Sequence, residues 1–227
     1  MPWHEPGYNL STSAIAVPPA MAATSQRHTS RYLLLPPLVM PNRDHLARLP
    51  REYYLDQAIV HWTHTIRDRN QGWLTPVFLY RFRELLTHSM FRYGIACPLF
   101  CLMPDHIHMI WMGLVDGTDQ LNATKHFRSR CEDSLERIGF SLQDQSYDHV
   151  LTDEERRPEA FEQICDYIAR NPERAGLVPI DGYAQYKYTG CLIPGYPELR
   201  PFDPSFRTSL DKIISYLRKH GLQQLHP

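Results

Sequence analysis

Residues 95–114 read IACPLFCLMPDHIHMIWMGL, two apolar runs separated by the pair Pro104-Asp105. Apolar runs of this length, bounded by turn-forming residues, predict two neighbouring strands joined by a tight link. Pro98 lies inside the first run, and it predicts an irregularity or an edge position because proline cannot donate a hydrogen bond to a strand ladder. This pair of strands is the centre of the predicted fold.

Two histidines interrupt the second of these strands. His106 and His108 are two positions apart, so they point to the same face, with about 6.6–6.8 Å between their Cα atoms. That separation lets both imidazoles reach one metal ion. On the residues alone, the alternative is a pair of structural histidines whose ring nitrogens are hydrogen-bonded within the fold.

The elements around this pair follow a regular order. A helix after Thr75 and Pro76 has an N-terminal capping pattern, and Gly94 ends it. The predicted elements are a strand at 58–66, a helix at 75–94, strands at 95–103 and 106–114, a helix at 119–140, a strand at 147–152, and helices at 158–171 and 208–222. The core order β-α-β-β-α-β predicts an α+β, ferredoxin-like fold with helices packed on an antiparallel sheet.

Composition limits the classes of protein that the chain could represent. The 227 residues include 24 basic and 25 acidic side chains, which argues against coating nucleic acid by bulk charge but leaves a local basic groove open. No apolar run approaches the roughly 18–20 residues of a membrane span, and the N-terminus lacks the pattern of a secretory signal. Five cysteines without a CxxC pair favour a reduced, cytoplasmic protein.

Three regions are expected along the chain. Residues 1–50 are rich in Pro, Ala and Ser without a hydrophobic period, which predicts an irregular or disordered extension. Residues 51–190 contain the predicted domain, and residues 191–227 form a C-terminal extension with one helix.

A second motif lies on the helix at 158–171. Tyr167 and Asn171 are four residues apart and therefore share one helix face. The stretch CLMPDHIHMIWM (101–112), followed by YIARNPERAGLV (167–178), resembles the motifs of the single-tyrosine transposases in the His-hydrophobe-His (HUH) endonuclease superfamily, in particular the REP-associated tyrosine transposases. The resemblance extends from about residue 57 to about residue 190.

The resemblance implies a role for each motif residue. His106 and His108 would be metal ligands, Tyr167 would be the nucleophile, and Asn171 could complete the metal site. The implied ion is Mg²⁺ or Mn²⁺ and zinc is disfavoured, although imidazole ligands by themselves point toward zinc, iron or nickel. Asp105 would shape the turn before the histidines.

The implied activity is that of a DNA transposase. It would cleave and rejoin single-stranded DNA through a covalent 5′-phosphotyrosine link, with hairpin-forming palindromic repeats as the partner. No membrane partner is expected, and either a monomer or a homodimer could form the site. For DNA contacts we expect Lys125, Arg128 and Arg130 on the long helix, with Trp73 or Trp111 stacking on bases.

Three alternatives remain open. A non-catalytic nucleic-acid-binding module can have the same element order, and it would stack bases on exposed aromatic residues of the sheet. A structural zinc site could be built from Cys97, Cys101, His106 and His108. A transposase that has kept its fold but lost its activity would carry the same pattern.

Overall fold

The hairpin predicted at 95–114 lies at the centre of an antiparallel sheet. The computed structural model describes residues 48–222, and its five strands are β1 (Ile59–Thr65), β2 (Ile95–Met103), β3 (His106–Gly113), β4 (Tyr147–Val150) and β5 (Thr189–Leu192). Their order across the sheet is β4-β1-β3-β2-β5, and all neighbouring pairs are antiparallel. The predicted α+β fold class is confirmed.

Helices cover both faces of the sheet. They are α1 (Pro76–Tyr93), α2 (Gln120–Glu136), α3 (Pro158–Ala169), α4 (Asn171–Arg174) and α5 (Phe206–His220). Short 3-10 turns occur at Arg51–Tyr54, Arg67–Arg69 and Tyr183–Gln185. The apolar sides of α1 and α2 pack in one core, and those of α3 and α5 pack in a second core on the other face.

The two ends of α1 form as predicted. The Thr75 hydroxyl oxygen accepts a hydrogen bond from the Phe78 N–H at 3.1 Å, and a cap of this kind contributes about 1 kcal/mol. Gly94 ends the helix in the left-handed region with φ of 63°. These two caps set the bounds of α1. The helix follows β1 and precedes β2 in the chain, which gives the first half of the β-α-β-β-α-β order.

The alternation of β3 assigns its side chains to the two faces. Ile107, Met109 and Trp111 lie in the core with α1 and α2, whereas Ile110 and Met112 lie in the core with α3 and α5. His106 and His108 share the parity of Ile110, so they face the α3 side. Residue parity therefore places both imidazoles at one edge of the second core.

Pro98 introduces the irregularity that the sequence predicts. The β2–β3 register shifts between Ala96 and Leu99, and the β2–β5 register shifts between Cys97 and Phe100. Since β2 pairs with strands on both sides, the alternative of an edge strand is wrong. The bulge resets the alternation, because Cys97 packs in the first core and Cys101 in the second.

The C-terminal part of the described chain joins the same sheet. β5 was not predicted, and the boundary expected at residue 190 falls inside it. Leu210, Ile214 and Leu217 of α5 are buried in the second core. The expected extension at 1–50 lies outside the described residues, apart from residues 48–50.

Two sequence-level expectations concern the environment of the chain. No helix within residues 48–222 is long and apolar enough to cross a bilayer. All five cysteines carry free thiols, as the absence of a CxxC pair suggests.

Candidate active site

The imidazoles of His106 and His108 converge at the end of β3. Their Nε2 atoms are 2.9 Å apart, and the rings meet edge to face with centroids separated by 4.6 Å. Both side chains are half-buried. The shared face that the strand period predicts is therefore confirmed, and the two nitrogens point at a common position.

The outer nitrogen of His106 has a carboxylate partner. Its Nδ1 lies 2.6 Å from Asp105 Oδ1, and the other oxygen of Asp105 accepts a hydrogen bond from Arg69 at 2.7 Å. Burial by itself raises the pKa of Asp105, but the hydrogen bonds from His106 and Arg69 outweigh burial and lower the pKa. Because an ionised carboxylate only accepts, the neutral His106 ring carries its proton on Nδ1 and keeps a lone pair on Nε2.

The outer nitrogen of His108 is held by β1. Thr63 is its cross-strand partner, and His108 Nδ1 lies 3.1 Å from both Thr63 Oγ1 and His61 Nε2. Burial lowers the pKa of His108 well below its usual value, and positive charge on His61, His106 or Arg174 lowers it further. His108 is therefore neutral at neutral pH, which is the form of imidazole that binds a cation.

The histidine pair fits a divalent ion. The 2.9 Å between the two Nε2 atoms is a distance that either a hydrogen bond between the rings or a shared ion would give. Two nitrogens at right angles around an ion, each at about 2.1 Å, would be about 3.0 Å apart. Within residues 48–222, no three His, Cys, Asp or Glu side chains form a metal-binding group, so the fit rests on these two imidazoles.

Tyr167 lies near the C-terminal end of α3 with its ring accessible. The side chain is 61% exposed, and the guanidinium of Arg174 stacks over the ring at 4.0 Å from its centroid. In the part of the chain that the structure describes, no hydrogen bond or ring contact joins Tyr167 to His106 or His108. The role of Tyr167 as a nucleophile stays a prediction.

Asn171 begins a separate short helix instead of continuing α3. Arg170 leaves helical geometry with φ of −84° and ψ of 5°, two residues before Pro172, which has no N–H to continue the hydrogen bonds of α3. The Asn171 amide donates to the Ile168 carbonyl at 3.0 Å, and its oxygen accepts from Arg174 at 2.9 Å. That oxygen keeps one lone pair, so the ligand role of Asn171 also stays a prediction.

The residues predicted to contact DNA lie in another layer. Lys125, Arg128 and Arg130 belong to α2, which packs on the face opposite the histidine pair. Arg128 is half-buried and donates to Ser146 Oγ at 2.8 Å, so its guanidinium holds the segment before β4. Arg130 is 3.7 Å from Asp133. Their DNA contacts stay predictions.

Two other expectations are wrong. Trp73 and Trp111 are both 0% exposed, so neither indole can stack on a base. The zinc alternative fails because the bulge sends Cys97 and Cys101 to opposite faces of the sheet. Only one of those thiols can then lie on the histidine side.

Sequence reasoning missed four residues around the pair. They are His61, Thr63, Arg69 and Arg174, which contact or electrostatically influence the histidine and tyrosine groups. Polar residues at alternate positions of β1 were the available signal, since His61 and Thr63 share a face. The pairing of β1 with β3, which brings Thr63 opposite His108, is a tertiary contact that no local pattern specifies.

The fold and the site together define a class: a ferredoxin-like α+β domain with a His-hydrophobe-His pair on one face of its sheet. No family model and no curated protein matches the chain. Its fold is similar to that of a REP-associated tyrosine transposase solved bound to a REP hairpin, with a TM-score of 0.53 and 18% identity over 63% of this chain and 82% of that one. A proposed transposase from Deinococcus radiodurans R1 aligns with a TM-score of 0.36 and 14% identity over 57% of this chain and 95% of that one.

Proposed function

We propose that this protein is a transposase that cleaves and rejoins single-stranded, hairpin-forming DNA through a covalent link to Tyr167. The observation that carries the proposal is the convergence of the His106 and His108 Nε2 atoms on the sheet face that α3 covers. Ile168, the neighbour of Tyr167, is buried in the same core as Cys101 and Met103. These two residues are the cross-strand partners of His108 and His106, so the helix that carries the tyrosine packs beside the pair.

The fold likeness supports the choice of substrate. The solved transposase of similar fold is bound to a REP hairpin, and we extend that class of partner, a nucleic-acid hairpin, to this chain. The exposure of Tyr167 agrees with a nucleophile that has to meet a macromolecular phosphate.

The proposed reaction exchanges one phosphodiester for another. The Tyr167 oxygen attacks phosphorus, the bond to the 3′ oxygen breaks, and the 5′ phosphate remains on the tyrosine. The proton that the phenol loses ends on the departing 3′ hydroxyl, and attack by a 3′ hydroxyl on the phosphotyrosine reverses the exchange. Because one ester bond replaces another, no nucleotide cofactor is required.

The side chains around the site have separate tasks in this reaction. His106 and His108 would hold the divalent ion, Mg²⁺ or Mn²⁺, which when bound polarises a phosphoryl oxygen. Asp105 keeps the proton of His106 on the outer nitrogen, so that the inner nitrogen can donate an electron pair, and Thr63 Oγ1 lies within hydrogen-bond distance of the outer nitrogen of His108.

The nucleic-acid-binding module without catalysis is disfavoured by the sheet itself. Such modules stack bases on exposed strand aromatics. Here Trp62, Phe100 and Trp111 are at most 1% exposed beneath α1 and α2. The other face carries the histidine pair and is covered by α3 and α5.

A covalent-adduct assay tests the proposal. Labelled single-stranded DNA with a hairpin is incubated with the protein and Mg²⁺ or Mn²⁺, and a denaturing gel shows whether label stays on the protein. We expect an adduct with the wild-type chain, none with Tyr167→Phe, and none with the double variant His106→Ala and His108→Ala.

Tyr216→Phe is the matched control, because Tyr216 is also a partly exposed helical tyrosine, at 43%. It should form the adduct at the wild-type level. An adduct that persists in Tyr167→Phe would refute the assigned nucleophile. Normal cleavage by the double histidine variant would refute the metal site.

A further inference from the structure

Arg174 is a cation without a carboxylate partner beside the candidate active site. Within residues 48–222 no Asp or Glu oxygen lies within 4.0 Å of its guanidinium. Arg170, one turn earlier, differs, because it pairs with Asp166 at 3.1 Å, Glu173 at 2.9 Å and Asp181 at 3.2 Å. The charge of Arg170 is therefore compensated inside the protein, and that of Arg174 is available to an anion.

The guanidinium of Arg174 is fixed in orientation by its neighbours. It stacks on the Tyr167 ring at 4.0 Å, and its Nη2 donates to the Tyr167 carbonyl and to Asn171 Oδ1. Of the donors of a guanidinium, the N–H groups on Nε and Nη1 remain free of partners within the described residues. Each of these N–H groups can donate a charge-assisted hydrogen bond to a phosphate oxygen.

The short helix that carries Arg174 lies against the strand next to the histidine pair. Helix α4 contacts β2, the strand that carries Cys101. Cys101 is the cross-strand partner of His108. Arg174 therefore belongs to an element that packs on the strand beside the imidazoles, and its guanidinium stacks on the exposed tyrosine.

We propose that Arg174 binds a non-bridging oxygen of the scissile DNA phosphate and, through its stacking on Tyr167, holds the nucleophile beside that phosphate. The inference rests on the proposed function and assigns it a further catalytic residue. A phosphate bound by the free N–H groups of the guanidinium receives positive charge where negative charge develops in the transition state. The stacked ring restricts the tyrosine to positions next to the same phosphate.

The competing explanation is purely structural. In that case Arg174 would only tie α3 to α4 through its bonds to the Tyr167 carbonyl and Asn171. A structural arginine can alter the adduct rate through misplacement of Tyr167, but it cannot alter the number of DNA phosphates that the protein neutralises. The salt dependence of DNA binding separates these two roles.

The test uses full-length protein and a single-stranded hairpin oligonucleotide that the wild-type chain cleaves. Arg174→Gln should lower the single-turnover rate of adduct formation at saturating DNA by roughly 10²- to 10³-fold. In the Tyr167→Phe background, where DNA stays intact, Arg174→Gln should reduce the slope of log Kd against log salt by about 0.7. Arg174→Lys should retain the slope and lose part of the rate, because lysine keeps the charge without the planar fork.

Arg137→Gln is the matched control, since Arg137 is an exposed arginine at the end of α2, in the layer on the opposite face. Its rate and slope should equal those of the wild type. Thermal melting of each variant identifies loss of folding. If Arg174→Gln does not fold, Arg174→Lys decides, and a wild-type rate in that variant would overturn the proposal.

The outcomes separate the two levels of the argument. No adduct with the wild-type chain on any hairpin would count against the proposed function itself. A wild-type adduct together with an unchanged rate in Arg174→Gln would overturn the role of Arg174 alone. A reduced rate with an unchanged salt slope in Arg174→Gln would show that Arg174 only positions Tyr167, and phosphate binding would be refuted.

Discussion

The two ring nitrogens of His106 and of His108 have different kinds of partner. The outer nitrogens lie beside Asp105 for one ring and beside Thr63 and His61 for the other, and the inner nitrogens lie 2.9 Å from each other. The inner nitrogens are the atoms with which the pair would hold an ion. The arrangement explains why two imidazoles occupy one side of an otherwise apolar strand.

Asp105→Asn tests this arrangement. The neutral amide is a weaker acceptor for the His106 Nδ1 proton and can also flip, so we expect the affinity for Mn²⁺ to fall roughly 10- to 100-fold. Calorimetric titration measures the affinity, and nitrogen-15 NMR of the imidazoles reports the tautomer of His106 without metal. Asp153→Asn, at an exposed and distant site, should change neither. Unaltered Mn²⁺ affinity in Asp105→Asn would contradict the role of the carboxylate.

His64 gives the stability of the fold a dependence on pH. Burial, with smaller contributions from Arg128 and Arg48, lowers the pKa of His64 well below its usual value. As the pH falls through about 6.5, His64 binds a proton in the unfolded chain but stays unprotonated in the folded protein. The contribution of His64 to the free energy of unfolding should therefore be complete above that pH. Below it the free energy of unfolding should decrease, by up to about 1.4 kcal/mol per pH unit for this residue.

Urea unfolding at about pH 7.5 and about pH 5.5 measures the effect, because these two values lie on either side of the usual histidine pKa. His64→Phe should reduce the difference between the two pH values, while His88→Phe, at an exposed position, should leave it unchanged. An undiminished difference in His64→Phe would show that His64 is not the group responsible.

Among the elements, β2 shows both the reach and the limit of sequence reasoning. A proline inside an apolar strand predicts an irregularity, and one is present at Pro98. The pattern could not specify that the bulge would turn Cys97 and Cys101 to opposite faces, because the local count of residues depends on the partner strands.

Strand β5 has only four residues, and the sequence pattern did not predict it for a physical reason. Its residues Thr189–Leu192 are too few to show a period of two. The strand forms because β2 offers a free edge, and Gly190 lets the chain approach the Phe100 ring, which an added Cβ would meet at 2.7 Å. Pairing of this kind follows from tertiary structure.

The residues of the candidate site also fall into those that the sequence predicted and those that only the folded structure brings together. Strand parity selected His106 and His108 as a pair, whereas the roles of Tyr167 and Asn171 came from the resemblance to the single-tyrosine transposases. The partners Thr63, Arg69 and Arg174 come from other elements, so their contacts depend on the folded arrangement. Neither exposure of Tyr167 nor the separate start of α4 at Asn171 is encoded in the spacing.

The end of α1 provides a prediction for a whole element. In Gly94→Ala the new Cβ would lie 2.5 Å from Val115 Cγ2 on a backbone with φ of 63°. Strain and overlap together should reduce the free energy of unfolding by about 2–4 kcal/mol, measured by urea denaturation. Gly117→Ala has φ of 82° and no atom within 4 Å, so it should lose only the strain, about 1 kcal/mol. Equal losses in both variants would rule out the overlap with Val115.

For the described molecule as a whole, the sheet is covered on both faces and each face has a different use. The α1 and α2 side holds the larger aromatic core, with Trp62, Phe127 and Trp111. The other side combines a smaller apolar core with the histidine pair at its edge. A site at the border of a core combines the rigid packing of the core with access from solvent.

Helix α5 belongs to that second core, and its contribution is measurable. Leu217 is 0% exposed, so Leu217→Ala should lower the free energy of unfolding by about 2–5 kcal/mol in urea. Tyr216→Ala, at the exposed neighbouring position, should change it by less than about 0.5 kcal/mol. An unchanged free energy of unfolding in Leu217→Ala would mean that α5 does not contribute to the stability of the fold.

The central claim is that Tyr167 becomes covalently linked to DNA, and peptide mapping tests it most directly. The adduct formed with a single-stranded hairpin oligonucleotide is digested with protease and nuclease, and mass spectrometry locates the residue that carries the 5′ nucleotide. The account predicts the modification on Tyr167 within YIARNPERAGLV (167–178). A nucleotide on any other residue, or an adduct that retains a 3′ phosphate link, would contradict it.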